Sequence, residues 1–325
     1  MLDIVITHYQ EPWSVCRRLF ETLDAQRGVD WDQIYVTVVN DGGDRLPEDM
    51  LEDLNFRCVQ LDIPHGGISA ARNAGLDHAE EPWIMFCDCD DCFSNVFALE
   101  DILNVLPGAE KQYDMMWTKV WSERLRDGAH QVYQIHDKKI MVFIHGKVYR
   151  REFLLDEGIR FDESMTFNED SLFNATIMTR TTNARIGEIS TYAPAYVWIV
   201  REGSVTDAPD ADDKSAIGQL RRNMKVTDQY RVHRPEGYAG MVTRVIYDTY
   251  FMTHTGKYSP SCKQQVLDEF RRWIKTQAYG DFTNVDAKHL RQIREISRAE
   301  LTRTGEDIPD DPGSVVMWLL GVVQT

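Results

Sequence analysis

The sequence predicts an α/β protein in which helices flank a mostly parallel sheet, followed by a C-terminal helical region. Three observations support this prediction. Short β-branched runs alternate with segments of helical spacing in the first part of the chain, helical spacing dominates after about residue 206, and 43% of residues are apolar, enough for a core. Strands that alternate with helices form right-handed crossover units, which build parallel sheets.

The first part of the chain contains four predicted strands, each a short apolar run bounded by turn or polar residues. The predicted strands are 3–7, 34–39, 56–61 and 83–87, and the helices between them are 14–26 and 69–79. Ligands of such sheets bind beyond the carboxyl ends of the strands. This edge is therefore the expected position of a functional site.

The middle and end of the chain follow different patterns. Further strands are predicted at 115–121, 131–135 and 140–144, a helix at 171–179, and later helices at 210–232, 238–254, 263–279 and 286–303. The polar segment 204–213 contains Pro209 and marks a boundary, so we expect domains at 1–206 and 207–325. The apolar tail 315–323 is expected to pack on the body of the protein or on a second subunit.

The composition excludes some partners. The chain has 325 residues and a formal charge of 36 − 52 = −16, which disfavours nucleic acid and anionic membrane surfaces. No apolar run approaches about 18 residues, so no transmembrane segment is expected. The N-terminus shows no secretion signal, so we expect a cytoplasmic protein whose six cysteines are reduced.

The run Ile84–Asp91 ends a predicted buried strand in three carboxylates, Asp88, Asp90 and Asp91. Clustered negative charge at a strand end is unfavourable unless something positive holds it. Mg²⁺ and Mn²⁺ prefer oxygen ligands and often bridge carboxylates to a diphosphate. The run therefore predicts an enzyme that binds a divalent cation and a nucleotide-linked substrate.

Six short motifs stand in an order that resembles a known family. They are Val5–Glu11 (VITHYQE), Val39–Gly43 (VNDGG), Gly67–Gly75 (GISAARNAG), Phe86–Asp91 (FCDCDD), Asn168–Phe173 (NEDSLF) and Gly203–Thr206 (GSVT). Residues 1–206 resemble the inverting nucleotide-sugar glycosyltransferases of family 2, which have the GT-A fold, a Rossmann-like sheet. The resemblance implies transfer of a sugar from a nucleoside diphosphate, often UDP, to an acceptor hydroxyl.

The resemblance also implies roles for single residues. Asp90 is the expected direct ligand of Mn²⁺ or Mg²⁺, with Asp88 supporting the metal or contacting the ribose and Asp91 behind them. Residues expected at the nucleotide are Thr7, Tyr9, Glu11, Asp41, Gly67, Arg72 and Asp88, and Arg201, Ser204 and Thr206 are expected to close over the diphosphate. His145 is expected to be a third metal ligand or an acceptor contact.

The family places its general base in a Glu-Asp pair, so Asp170 is the predicted base and Glu169 its neighbour.

Other interpretations remain open for several of these residues. Arg72 fits a structural bridge to an aspartate, His145 fits a hydrogen-bonded structural residue, and Glu169-Asp170 fits a helix N-terminus. Three tryptophans, Trp117, Trp121 and Trp198, fit either sugar stacking or core packing.

Alternative functions remain open at this stage. A nucleotidyltransferase would need an early Gly-rich loop, which residues 7–18 lack. A non-catalytic nucleotide-sugar-binding protein and a two-carboxylate glycosidase are also consistent with the residue types. The acceptor is expected to be a glycan, a lipid-linked saccharide or a protein. The C-terminal helices are expected to shape the acceptor site or to form a homo-oligomer.

Overall fold

The computed structural model describes residues 1–126, 130–136, 141–201, 208–277, 308 and 312–324. The chain divides into two compact units, Met1–Asp207 and Ala208–Thr325. Among the described residues, no helix has the length and apolar character needed to cross a bilayer.

The strands of the first unit form two sheets. They are β1 (Leu2–His8), β2 (Ile34–Asp41), β3 (Cys58–Ile63), β4 (Trp83–Asp88), β5 (Cys92–Phe93), β6 (Met115–Trp117), β7 (Val120–Arg126), β8 (His130–His136), β9 (Lys147–Arg150), β10 (Ile186–Glu188) and β11 (Tyr196–Val200). The larger sheet has the order β10-β6-β9-β4-β1-β2-β3, and the smaller has the order β5-β11-β7-β8.

Helices cover both faces of the larger sheet. In the first unit they are α1 (Trp13–Asp24), α2 (Asp49–Glu52), α3 (Ile68–His78), α4 (Ala98–Val105), α5 (Arg151–Asp156) and α6 (Glu169–Arg180). Leu19 and Phe20 of α1 join the core on one face, and Phe173 of α6 joins the core on the other. Gly75 of α3 lets the helix approach the sheet, because a Cβ there would lie 2.2 Å from a methyl carbon of Val5.

The pairing explains where strand ends meet. Strands β4, β1, β2 and β3 are mutually parallel, and β9 inserts antiparallel between β4 and β6. The register pairs Thr7 with Asp88 and His8 with Asn40. The polar residues that follow these strands therefore lie along one edge, as the parallel arrangement predicts.

The second unit is helical in its described part. Its helices are α7 (Ala211–His233), α8 (Pro235–His254), α9 (Pro260–Ile274) and α10 (Pro312–Gln324). They share a core of their own, to which the tail contributes Val315, Leu319 and Val322 on one side of α10. The helix predicted at 286–303 lies outside the described residues.

Two strand predictions differ from the structure. The strand expected at 140–144 is wrong for the described residues 141–144, which form a loop. The carbonyl of Phe143 accepts hydrogen bonds from the side chains of Lys147 and Asn174 instead of joining a ladder. The segment 115–121 does not form one strand, because Thr118 and Lys119 separate β6 in the larger sheet from β7 in the smaller.

Candidate active site

Three acidic or basic groups meet where β4 ends. His145, in the loop before β9, places Nε2 3.2 Å from Asp88 Oδ2 and 3.4 Å from Asp91 Oδ2. Ligand atoms of these three residues all lie within 4.8 Å of one another. Asp91 is held by the backbone N–H of Ile199, which donates to its Oδ1 at 2.8 Å.

The chemistry of this trio fits a divalent cation. Oδ2 of Asp91 is buried and lacks a hydrogen bond of normal geometry. Burial, followed by the charges of Asp88 and Asp90, raises the pKa of Asp91 well above its usual value. A cation placed there would relieve both the missing contact and the repulsion, since carboxylate oxygens and imidazole nitrogen are ligands that Mn²⁺ accepts.

Asp88 has a different environment. Burial disfavours its ionised form, but the charge of Arg72 and the hydrogen bond from His145 outweigh burial and lower its pKa. Arg72 Nη2 donates to Asp88 Oδ1 at 2.9 Å, and Thr7 Oγ1 donates to the same oxygen at 3.4 Å. Asp88 is therefore an anion at neutral pH, with its second oxygen directed toward His145.

Asp90 lies outside the trio. Its Oδ2 accepts from Arg201 Nε at 2.6 Å, and Arg201 Nη2 lies 3.3 Å from Glu11 Oε1. Burial and the charge of Asp88 raise the pKa of Asp90, against the opposing effect of Arg201. The assignment of Asp90 as a metal ligand stays a prediction, and Ser204 and Thr206, expected near Arg201, lie outside the described residues.

An aromatic and acidic patch follows β1 and β2. The ring of Tyr9 stacks on that of His65, with centroids 4.3 Å apart and an interplanar angle of 17°. Asp41 accepts from the backbone N–H groups of Gly66 at 2.7 Å and Gly67 at 2.9 Å, and its Oδ2 lies 2.9 Å from His65 Nδ1. Gly67, the residue before α3, has φ +87°, a conformation that favours glycine.

Arg72 connects this edge to α6. Its Nη1 donates to Glu169 Oε1 at 2.9 Å, while Nη2 donates to Asp88. All three groups are largely buried, so the guanidinium compensates two carboxylates that water does not reach freely. The alternative interpretation of Arg72, a structural bridge to an aspartate, is therefore observed in the structure. The bridge connects Asp88 of one predicted acidic motif with Glu169 of the other.

Asp170 lies beside Glu169 at the first turn of α6. Its Oδ1 accepts from the backbone N–H of Ser171 at 2.6 Å. Burial, followed by the charge of Glu169, raises the pKa of Asp170 to about 7, although Arg72 opposes the shift. A carboxylate with this pKa is a stronger base than an ordinary aspartate, as general-base chemistry at neutral pH requires.

Three groups near the site were not predicted. Lys147 is buried beside the trio, and burial lowers its pKa to about 7 against the opposing charge of Asp170. Tyr196 stacks on His145 with centroids 5.5 Å apart, and Asn174 contacts the loop of His145. A lysine, a tyrosine and an asparagine on regular elements carry no sequence signal for such a role, because only their tertiary neighbours distinguish them.

The predicted tryptophans separate into two environments. Trp198 is half-buried and stacks near His145, with ring centroids 5.8 Å apart. It also lies 6.0 Å from the ring of Phe143. Trp117 is buried in β6, and Trp121 is half-buried in β7. Trp198 therefore contacts the trio through the ring of His145.

Comparison with known protein families gives one match in the N-terminal part of the chain. Residues 3–154 match the family described as glycosyl transferase family 2. The N-terminal part of the chain is therefore similar to this family. The prediction from the six motifs is confirmed at this level.

The curated relatives that the chain matches include proteins named as glycosyltransferases. The chain is 26% identical over 193 residues to the uncharacterized glycosyltransferase EpsJ of Bacillus subtilis, covering 54% of this chain and 55% of that protein. It is 26% identical over 267 residues to the poly(ribitol-phosphate) beta-N-acetylglucosaminyltransferase TarS of Staphylococcus aureus, covering 77% of this chain and 44% of TarS. The chain thus spans about half the length of the curated relatives it matches.

Solved structures confirm the fold. The crystal structure of S. aureus TarS 1-349 in complex with UDP-GlcNAc superposes with a TM-score of 0.66 at 17% identity, covering 94% of this chain and 92% of that one. The complex of the same fragment with UDP gives a TM-score of 0.65 at 18% identity, with 95% and 94% covered. The predicted GT-A architecture with a helical C-terminal region is therefore confirmed.

Proposed function

We propose that the chain transfers a sugar from a UDP-linked donor to an acceptor hydroxyl with inversion, assisted by a divalent cation. The observation that carries this proposal is Arg72, which donates to both Asp88 and Glu169 at 2.9 Å. Through it, the acidic end of β4 and the first turn of α6 share one edge of the sheet. A leaving diphosphate and a general base have to lie this close for a single displacement.

The cation is proposed to be held by Asp88, Asp91 and His145. Mn²⁺ suits a set of two carboxylates and an imidazole better than Mg²⁺, which prefers oxygen alone. Once bound, it would neutralise the charge that develops on the departing diphosphate. Arg201, bound to Asp90 in this structure, supplies a second positive group to the same edge.

The nucleotide is proposed to lie over the ends of β1 and β2. The exposed ring of Tyr9, stacked on His65, offers a flat apolar surface for a base. Asp41 is the carboxylate that would accept from the edge of uracil, and Thr7, Glu11 and Gly67 surround the path to the diphosphate. Because related TarS fragments were crystallised with UDP and UDP-GlcNAc, UDP-N-acetylglucosamine is the proposed donor.

Asp170 is proposed to remove the proton from the acceptor hydroxyl as that oxygen attacks the anomeric carbon. With a pKa of about 7, its carboxylate binds a proton more strongly than a solvated aspartate does. Glu169 is paired with Arg72. In this assignment Glu169 and Arg72 orient the first turn of α6, and Asp170 carries out the proton transfer.

The acceptor is proposed to be a hydroxyl on a cell-surface polymer of the polyol-phosphate class. The basis is the set of relatives, which includes TarS and the minor teichoic acid biosynthesis protein GgaA of B. subtilis, the latter 29% identical over 159 residues. The division at residues 207 and 208 supports a catalytic domain followed by a helical region, which is proposed to bind the acceptor or to form a homo-oligomer.

A donor screen tests this function. The purified chain is melted with a panel of nucleotide-sugars, with and without Mn²⁺, and UDP release is measured for each donor that raises the melting temperature. UDP-N-acetylglucosamine with Mn²⁺ is expected to give the largest shift, and NMR of the product is expected to show an inverted anomeric centre. Retention of configuration, or no shift with any nucleotide-sugar, would refute the proposal.

A further inference from the structure

Lys147 is a buried lysine at the start of β9. The residue is 3% exposed, and no carboxylate lies within ion-pair distance of its ammonium group among the described residues. Instead Nζ donates to the carbonyl oxygen of Phe143 at 2.5 Å and lies 3.5 Å from that of His145. Nζ also lies 4.9 Å from the centroid of the Phe143 ring. Burial of an ammonium group is unfavourable, so a hydrophobic residue would serve packing better.

The carbonyl of Phe143 has a second donor. Asn174, fully buried in α6, donates from Nδ2 at 3.0 Å. The Oδ1 of Asn174 in turn accepts from the hydroxyl of Tyr149 at 2.9 Å. One backbone oxygen thus joins the loop before β9 to α6, and both of its partners are buried side chains.

This loop carries His145, two residues after Phe143. The imidazole has to face Asp88 and Asp91 to complete the trio, and its own Nδ1 is buried without a hydrogen-bond partner. Apart from the contact of Nε2 with Asp88, no hydrogen bond among the described residues fixes the direction of the ring. The position of the ring depends on the backbone that carries it and on the flat contacts with Tyr196 and Trp198.

We propose that Lys147 is a positioning residue that fixes the backbone of Phe143 and His145 and thereby sets the affinity of the Asp88, Asp91 and His145 trio for a divalent cation. The inference rests on the cation-binding part of the proposed function. Removal of a group that hydrogen-bonds to a metal ligand and orients it typically weakens metal affinity about 10- to 100-fold.

The test measures Mn²⁺ binding by electron paramagnetic resonance of the free ion, on the full chain without donor. Lys147→Met keeps a stem of similar length and removes the donor, so we expect the Kd for Mn²⁺ to rise about tenfold or more. Lys147→Arg keeps a charged donor and is expected to restore most of the affinity. Tyr149→Phe, the matched control, leaves both donors to Phe143 in place and is expected to bind Mn²⁺ as the wild type does.

Circular dichroism and a melting curve establish that each variant is folded. A folded Lys147→Met protein with wild-type Mn²⁺ affinity would overturn the inference, because a lysine that only stabilises the fold leaves the affinity of folded molecules unchanged. If Lys147→Met does not fold, Lys147→Leu, which also removes the donor, replaces it, and wild-type affinity in a folded Lys147→Leu protein would overturn the inference equally. A wild-type chain that binds no Mn²⁺ would instead refute the cation in the proposed function.

Discussion

Arg72 Nη2 donates to Asp88 Oδ1 at 2.9 Å, which ties the first turns of α3 to the end of β4. The guanidinium is almost wholly buried. The pair is therefore poorly screened by water, and the second contact of Arg72, to Glu169, adds a third element. Removal of this arginine would leave two carboxylates without compensation at the edge that is proposed to bind the donor.

We expect Arg72→Met to lower the free energy of unfolding by about 3–5 kcal/mol, because it leaves buried carboxylates without a positive partner. Urea denaturation at pH 7 without metal measures this. The control is Arg160→Met, which breaks a paired contact with Asp77 at 2.6 Å between two exposed side chains. That loss is expected to be about 0–1 kcal/mol. Equal losses in the two variants would show that burial of Arg72 does not determine its contribution.

We expect Asp170→Asn to reduce the rate of sugar transfer by about 100-fold or more, since general-base catalysis contributes on that scale. Donor binding is expected to change little, because Asp170 is proposed to act on the acceptor. Initial rates and isothermal titration with the donor measure the two effects separately. The exposed Asp156 provides the control Asp156→Asn, which is expected to keep the wild-type rate. Full turnover by Asp170→Asn would remove Asp170 from its role.

The raised pKa of Asp170 has a consequence for stability. Its pKa is about 7 in the folded chain against a usual 3.8, so the folded state retains a proton that the unfolded state releases. This contribution to stability is therefore present below pH 4 and is lost as pH rises toward 7. We therefore compare the free energy of unfolding of Asp170→Asn with that of the wild type. We expect this difference to shift in favour of the variant by up to about 1.4 kcal/mol per pH unit between pH 4 and 7, and then to level off.

Urea denaturation of both proteins at pH 5, 6, 7 and 8 measures this difference without metal. Asp77→Asn provides a control whose effect is expected to be constant over this range. The hydrogen bond from Arg160 lowers the pKa of Asp77, so its contribution to stability changes only below about pH 4. If the difference in free energy of unfolding between Asp170→Asn and the wild type is constant across the range, Asp170 titrates normally in the folded chain.

The two neighbouring aspartates are expected to differ in metal binding. Asp91→Asn removes a carboxylate of the trio and is expected to weaken Mn²⁺ binding about 10-fold or more, since even the loss of a group that only orients a ligand costs about 10- to 100-fold. Asp90→Asn leaves the trio intact and is expected to weaken Mn²⁺ binding less than Asp91→Asn does, because Asp90 is bound to Arg201. Titration of free Mn²⁺ compares them. The reverse order would support Asp90 as the direct ligand, which the resemblance implies.

The motifs in the sequence anticipated the family and the edge of the sheet at which their residues meet. Thr7 and Asp88 pair across β1 and β4, and Asp41 ends β2. These positions follow from strand order and alternation, which short-range patterns encode. The loop at 141–146 was missed for a related reason. Its apolar residues resemble a strand, but the hydrogen bonds of Phe143 come from side chains at Lys147 and Asn174.

The sequence by itself determined the α/β class, the parallel core and the acidic strand end, because each depends on neighbours along the chain. Tertiary structure alone decided that Asp91 groups with His145, 54 positions away, and that Asp90 turns to Arg201, 111 positions away. It also decided the raised pKa of Asp170, which requires burial beside Glu169. Such effects arise from distance, desolvation and charge in the folded chain, and a local pattern of residues does not contain them.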